Sequence, residues 1–143
     1  MEYYKISFVG DEKVFLSTSN KFMLMSLIKD FIRTHKHVEF YFNYGGEFDE
    51  LAALLCHIAR STSKSTNTTM TLVLSHPPEN RKSLAEYYDK IIVLRRAEKD
   101  AATRDRYLID AADMVITYIP QNSEKNALFS YTREKKKKVI FFA

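Results

Sequence analysis

At 143 residues and 16.7 kDa the chain has the length of one domain, and a domain of this size buries roughly two-thirds of its unfolded surface. Hydrophobic residues make up 45% and charged residues 28%, which excludes global disorder, because enough apolar surface exists to offset chain entropy. Twenty-two basic against 18 acidic side chains leave a net charge of +4, much of it in Lys135-Lys136-Lys137-Lys138; such a cluster suits a solvated helix end opposing the helix dipole better than a nucleic-acid surface.

Tyr4 to Gly10 (YKISFVG) alternates in β-rich residues and stops at a glycine, which predicts a first strand and a turn. From Asn20 to Thr34, Leu24, Leu27, Ile28, Phe31 and Ile32 recur at three- and four-residue spacing, the mark of a helix with one buried face; Ser19 or Asn20 would cap it. Val38 to Phe42 predicts a second strand. Tyr44-Gly45-Gly46 breaks it, and Phe48, Leu51, Ala52, Leu55, Ile58 and Ala59 predict a second helix.

The polar run Ser61 to Thr69 (STSKSTNTT) reads as a mobile connection. Met70 to Leu74 predicts a third strand, His76-Pro77-Pro78 a stop, Leu84 to Tyr88 a short helix and Ile91 to Leu94 a fourth strand. Ala101 to Asp113 predicts a helix, Met114 to Ile119 a strand, Ser123 to Lys136 a helix and Val139 to Phe142 a last strand.

Short apolar strands alternating with helices predict a Rossmann-like three-layer α/β/α fold with a mainly parallel sheet, spanning residues 1–143 as one domain. Ligands of such sheets bind at the carboxyl ends of the strands, where the strand order reverses. Those ends carry Gly10-Asp11, Gly45-Gly46, Ser75-His76 and Pro120-Gln121.

Two of the three glycines are adjacent at a strand-to-helix junction. Glycine admits positive φ and close approach of a ligand, and the free N–H groups of the following helix attract an anion. A tight turn alone would also use glycine, and Glu47, Asp49 and Glu50 complement the positive helix end without any ligand. Three carboxylates there repel phosphate, so they favour helix stabilisation or contacts to ribose hydroxyls. Arg104 and Arg106, at the start of the helix before the fifth strand, are of the type that clamps phosphate or carboxylate. Asp110 and Asp113 share a face of that helix, placed to bind arginine or cap its end.

Three blocks, GGEFDELA (Gly45 to Ala52), YYDKII (Tyr87 to Ile92) and TRDRYLIDAADMVITYI (Thr103 to Ile119), together make the chain resemble the SLOG superfamily, and within it the YpsA-like branch. The resemblance spans nearly the whole chain. It implies a pocket for a nucleotide or nucleotide-derived molecule. By position, the family's glycine turn and acidic residue fall on Gly45, Gly46 and Asp49, its arginine-bearing helix start on Arg104 to Arg106, and its first turn on Gly10. The family's further glycines after the fifth strand are replaced by Pro120-Gln121-Asn122-Ser123, where Ser123 and a helix N-terminus would have to substitute.

The LOG-type phosphoribohydrolases of that superfamily cleave N-glycosidic bonds with a glutamate six residues after the second glycine of PGGxGTxxE. Here that position is Ala52, the threonine position is Asp49 and the third glycine is Phe48. Catalysis would need Glu50 or Asp49 in another arrangement. No Walker lysine, nucleophile elbow or zinc signature is present. No cofactor or metal is expected, and Cys56 and His57 point different ways on one helix.

The expected site therefore comprises Gly10, Asp11, Tyr44, Gly45, Gly46, Phe48, Asp49, Arg104, Arg106 and Ser123, with Tyr44 or Phe48 stacking on a base. Three functions compete: binding or sensing of a nucleotide-type small molecule, N-glycosidic hydrolysis, and scaffolding with a degenerate pocket. The lone cysteine fits a reducing compartment. Neither an export signal nor a membrane span is visible, so a cytoplasmic protein is expected. A homodimer through the Leu24 to Ile32 helix, extended by Met23 and Met25, is also expected.

Overall fold

The computed structural model describes residues 3–11, 16–94, 101–119 and 127–142. Six strands, β1 (Tyr4–Gly10), β2 (Val38–Phe42), β3 (Thr68–Leu74), β4 (Lys90–Val93), β5 (Met114–Tyr118) and β6 (Lys138–Phe142), form one sheet in the order β4-β3-β2-β1-β5-β6. Every pairing is parallel. The order reverses beside β1, which lies between β2 and β5, as in Rossmann-like α/β folds.

Helices cover both faces, because strands buried on two sides need a layer on each. Helices α1 (Thr18–Thr34), α2 (Glu47–Thr62) and α3 (Arg81–Tyr87) supply residues to one apolar cluster, built on Phe8, Phe40, Phe42, Met70 and Leu72 of the sheet. Helices α4 (Ala101–Ala111) and α5 (Ala127–Glu134) close a second, around Val9, Val73 and Val115. Strand alternation assigns Phe8 to one layer and Ser7 and Val9 to the other.

Leu24, Ile28 and Ile32 are the buried stripe of α1, each contributing about 1.5–3 kcal/mol by burial. The cap is Ser17, whose hydroxyl accepts from the Asn20 N–H at 3.1 Å, rather than Ser19 or Asn20. Ser17 is still extended, whereas Ser19 and Asn20 already lie within the helix.

The polar run from Ser61 is not one loose connection. Ser61 and Thr62 complete α2, Thr68 and Thr69 open β3, and the Asn67 amide donates to the Ile32 and His35 carbonyls at 3.0 and 2.8 Å. Those bonds satisfy acceptors that the carboxyl end of α1 would otherwise leave open. Asp89 similarly ties α2 to the sheet, accepting from the Met70 N–H at 2.8 Å and pairing with Arg60.

The buried face of α2 is Phe48, Asp49, Ala52, Ala53, Cys56 and Ala59. Leu51 and Leu55 are half-buried, and Leu54 and Ile58 are exposed. Small side chains let this helix approach the sheet closely, so its bulky residues are displaced to the flanks and outer surface.

Helix α4 stops at Ala111, two residues before the expected Asp113. Its carboxyl end is fixed by Lys137, whose ammonium donates to the Ala112 carbonyl at 2.8 Å and the Asp110 carbonyl at 3.3 Å. Lys135 lies over the Tyr131 ring. Half of the lysine cluster thus has an internal role. No helix among the described residues is long and apolar enough to cross a membrane.

Candidate functional site

The carboxyl edge of the sheet is assembled from ends that meet from both layers. β2 runs into Asn43, Tyr44, Gly45 and Gly46, after which α2 begins. Gly45 has φ +95°, a region L side chains avoid, and among the described residues no atom lies within 4 Å of where its Cβ would project. The glycine is required by conformation, and the space beside it is open. Gly46 is the N-cap of α2, extended and without any side-chain cap bond.

Asn43, Ser75, Asp49 and Asp105 are all buried. Asn43 bridges the edge: its Oδ1 accepts from the Tyr44 N–H at 2.9 Å, and its Nδ2 donates to Asp105 Oδ1 at 3.3 Å. Arg104, one residue before Asp105, donates from Nη1 to the Ser75 hydroxyl at 2.8 Å, at the end of β3. Its Nε–H is buried and has no hydrogen-bond partner among the described residues. Such a donor is costly to leave unsatisfied, and more so when it carries charge.

Asp49, in the first turn of α2, is 5% exposed. It lies near Tyr88, whose phenol is pushed far above its ordinary range, first by burial and then by neighbours including Tyr87 and Asp49. Glu47 and Glu50 of the same turn are exposed. Tyr44 is 46% exposed and free to meet a planar group.

Other expected site residues are placed elsewhere. Phe48 is 0% exposed, packed against Phe8 and Tyr118, so it belongs to the core and offers no ring to a base. Gly10 ends β1, paired with Tyr118, and the room its missing side chain leaves is filled by Phe48. Asp11 donates its backbone N–H to the Tyr118 carbonyl at 3.1 Å. Arg106 is exposed and lies over the Tyr131 ring on α5. Two residues apart on a helix, Arg104 and Arg106 point in nearly opposite directions, and only Arg104 reaches the β3 end.

Ser123 lies outside the described residues. Asp110 accepts from the Tyr131 hydroxyl at 2.7 Å and Asp113 from the Lys5 N–H at 2.8 Å, and neither is paired with an arginine among the described residues. His76 is exposed at the end of β3, while His57 stacks on Tyr87. Ala52 is fully buried. No group of three or more potential metal ligands occurs among the described residues.

Asn43, Ser75 and Asp105 have polar roles at the edge that the sequence reading did not assign. Asn43 and Ser75 were visible as the first polar residues after apolar strands, positions where a buried side chain must find a partner.

No protein-family model matches the chain, and no curated protein matches it in sequence. Solved structures do. Three structures of the molybdenum cofactor carrier protein from Chlamydomonas reinhardtii superpose with TM-scores of 0.65, 0.61 and 0.59. They share 16%, 15% and 14% sequence identity with this chain, cover 98–99% of it, and match over 76% of their own length. At that identity the likeness concerns the Rossmann-like α/β fold.

Proposed function

We propose that the chain is one domain that binds or senses a nucleotide or nucleotide-derived small molecule at the carboxyl edge of its sheet, in the manner of a SLOG-type domain of the YpsA-like branch. The observation that carries this reading is Arg104: a guanidinium tethered to Ser75, with a buried Nε–H lacking a partner among the described residues, at the edge that also carries the open Gly45–Gly46 turn. Arg104 would hold a phosphate, the turn would admit it, Asp49 would accept from ribose hydroxyls, and Tyr44 would stack on the base. Gly10, Asp11 and Ser123 complete the proposed surround, whereas Phe48 serves the core and Arg106 the contact with Tyr131.

The fold neighbours are structures of a molybdenum cofactor carrier protein, which supports small-molecule binding. The N-glycosidic hydrolase reading lacks its glutamate, since Ala52 carries no carboxylate. A scaffold with a degenerate pocket is the remaining alternative. A reducing compartment, the cytoplasm, fits the buried thiol of Cys56. The proposed homodimer would use the outer face of α1, where Phe22 and Met23 are 70% and 55% exposed; a monomer at all concentrations in light scattering would remove it.

The test is a thermal-shift and calorimetric screen against nucleoside monophosphates, cyclic nucleotides and ADP-ribose derivatives, with molybdenum analysis of the purified protein. Wild type is compared with Arg104→Ala, Asp49→Ala and Gly45→Val. Ligand bound only by the folded state raises the melting temperature, and the proposal requires a shift that Arg104→Ala and Asp49→Ala abolish. Free base appearing in the mixtures would transfer weight to hydrolysis. A cooperative melt unmoved by every ligand would favour the scaffold.

A further inference from the structure

The carboxyl end of α4 and the residues just after it are anchored by groups remote from the candidate site. The Ser7 hydroxyl donates to the Leu108 carbonyl at 2.5 Å, the Lys5 N–H to Asp113 at 2.8 Å and the Asp113 N–H to the Lys5 carbonyl at 2.7 Å. Lys137 holds the helix's carboxyl end. At the opposite end, Asn43 joins Asp105 across 62 residues of sequence, and Arg104 joins Ser75. The bond from Asn43 is distinctive because the same side chain also receives the N–H of Tyr44, the first residue of the glycine turn. A single carboxamide therefore ties the turn before α2 to the first turns of α4, from opposite layers of the sheet.

We propose that Asn43 and Asp105 are positioning residues that set the spacing between the Gly45–Gly46 turn and the Arg104 guanidinium. Affinity for a molecule spanning both then depends on their hydrogen bond. The inference rests on the ligand-site reading above. Its chemistry is specific to the amide. Tyr44 needs an acceptor and Asp105 needs a donor, and an asparagine supplies one at each end of a planar group. Aspartate at position 43 keeps the acceptor but turns a second carboxylate toward Asp105, so the two must separate or share a proton. Exchanging the pair restores one donor and one acceptor with the roles reversed.

The experiment is titration calorimetry well below the melting temperature, on wild type, Asn43→Asp, Asn43→Ser and the exchanged Asn43→Asp/Asp105→Asn. The probes are the tightest binder among the nucleoside monophosphates AMP, GMP, CMP and UMP, cyclic AMP, cyclic GMP and ADP-ribose, and inorganic phosphate, which is too small to span both groups. Asn43→Asp and Asn43→Ser are expected to weaken the nucleotide about tenfold while phosphate affinity changes by less than about twofold, and the exchanged pair is expected to recover most of the loss.

Equal nucleotide binding by all variants overturns the inference, as does a parallel fall for nucleotide and phosphate that tracks lowered melting temperature. Loss of binding in Arg104→Ala with none in Asn43→Asp or Asn43→Ser leaves the site standing and removes the positioning role. Wild type that binds none of these nucleotides and nucleotide derivatives overturns both. Should Asn43→Asp not melt cooperatively, Asn43→Ser carries the same expectation without the added charge.

Discussion

The ring of Phe48 occupies the space that a side chain at Gly10 would need: a Cβ built there would lie 2.5 Å from Cδ2 and 2.8 Å from Cβ of Phe48. The end of β1 and the start of α2 are therefore in contact through a missing side chain. The glycine brings α2 close to the sheet, and that approach places the Gly45–Gly46 turn at the carboxyl edge. Gly10 shapes the site by packing.

Gly10→Ala is expected to destabilise the fold by about 1–3 kcal/mol, the usual cost of overpacking a filled core. Urea unfolding measures it. Combining it with Phe48→Leu should recover part of the loss, since the shorter side chain vacates the contested volume; additive effects of the two changes would contradict the contact.

Gly45 presents the opposite case, because nothing among the described residues crowds its missing side chain and its φ of +95° is what resists substitution. Gly45→Ala is expected to cost about 1–2 kcal/mol. Gly45→Asn is expected to cost less, as asparagine tolerates positive φ. Equal melting temperatures for the two variants would show that the turn is not held in that conformation.

Tyr131 has its phenol pushed up to about 12, by burial first and then by its hydrogen bond to Asp110. The folded state thus holds this proton more tightly than the unfolded chain, where the ordinary value is about 10. The associated stability is complete below pH 10 and is lost as pH rises through 12. The stability gap between wild type and Tyr131→Phe should narrow across that window, followed by urea unfolding at successive pH values. A constant gap would mean that Tyr131 titrates normally.

Cys56 is fully buried, and burial raises its thiol well above the ordinary range despite the nearby Arg60. Its reaction with an aromatic disulfide reagent should be limited by opening of the fold. Destabilising changes such as Gly10→Ala should speed labelling, whereas reaction at the rate of a free thiol in wild type would show that α2 exposes its inner face.

The strands were the most legible part of the fold. Val38–Phe42 was predicted to the residue, because four of its five side chains are apolar or aromatic and the glycine turn follows directly, although the strand also buries Glu39, whose carboxylate accepts from the Thr71 hydroxyl at 2.6 Å. Helix α2 was legible in position but not in rotation. Its pattern of large apolar residues suggested Ile58 as part of the buried face, whereas the close contact selects Ala53 and Cys56 and exposes Ile58. Hydrophobic size alone cannot report how near a helix stands to its sheet.

The candidate site was legible where backbone chemistry dictated it and not where partners are distant in sequence. Gly45 announced itself by its place after an apolar strand. The choice between Arg104 and Arg106 required knowing that one side of α4 meets β3 and the other meets α5. The bond from Asn43 to Asp105 spans two layers, and no local pattern carries that information.

The position of β1 also has a consequence for how the chain reaches this structure. Its partners on one side arrive within the next strand, but those on the other are distant: Lys5 and Asp113, joined at the β1–β5 seam, are 108 residues apart. During synthesis, β1 to β4 can pair and bury one face beneath α1, α2 and α3, while the face carrying Val9, Tyr41 and Val73 awaits α4 and β5. That half-sheet would have an unpaired edge along β1 and an apolar surface beside it, a combination that favours association with other chains. The long sequence separation across this seam is expected to make its closure the slow step, and a refolding yield that falls with protein concentration is the behaviour it implies.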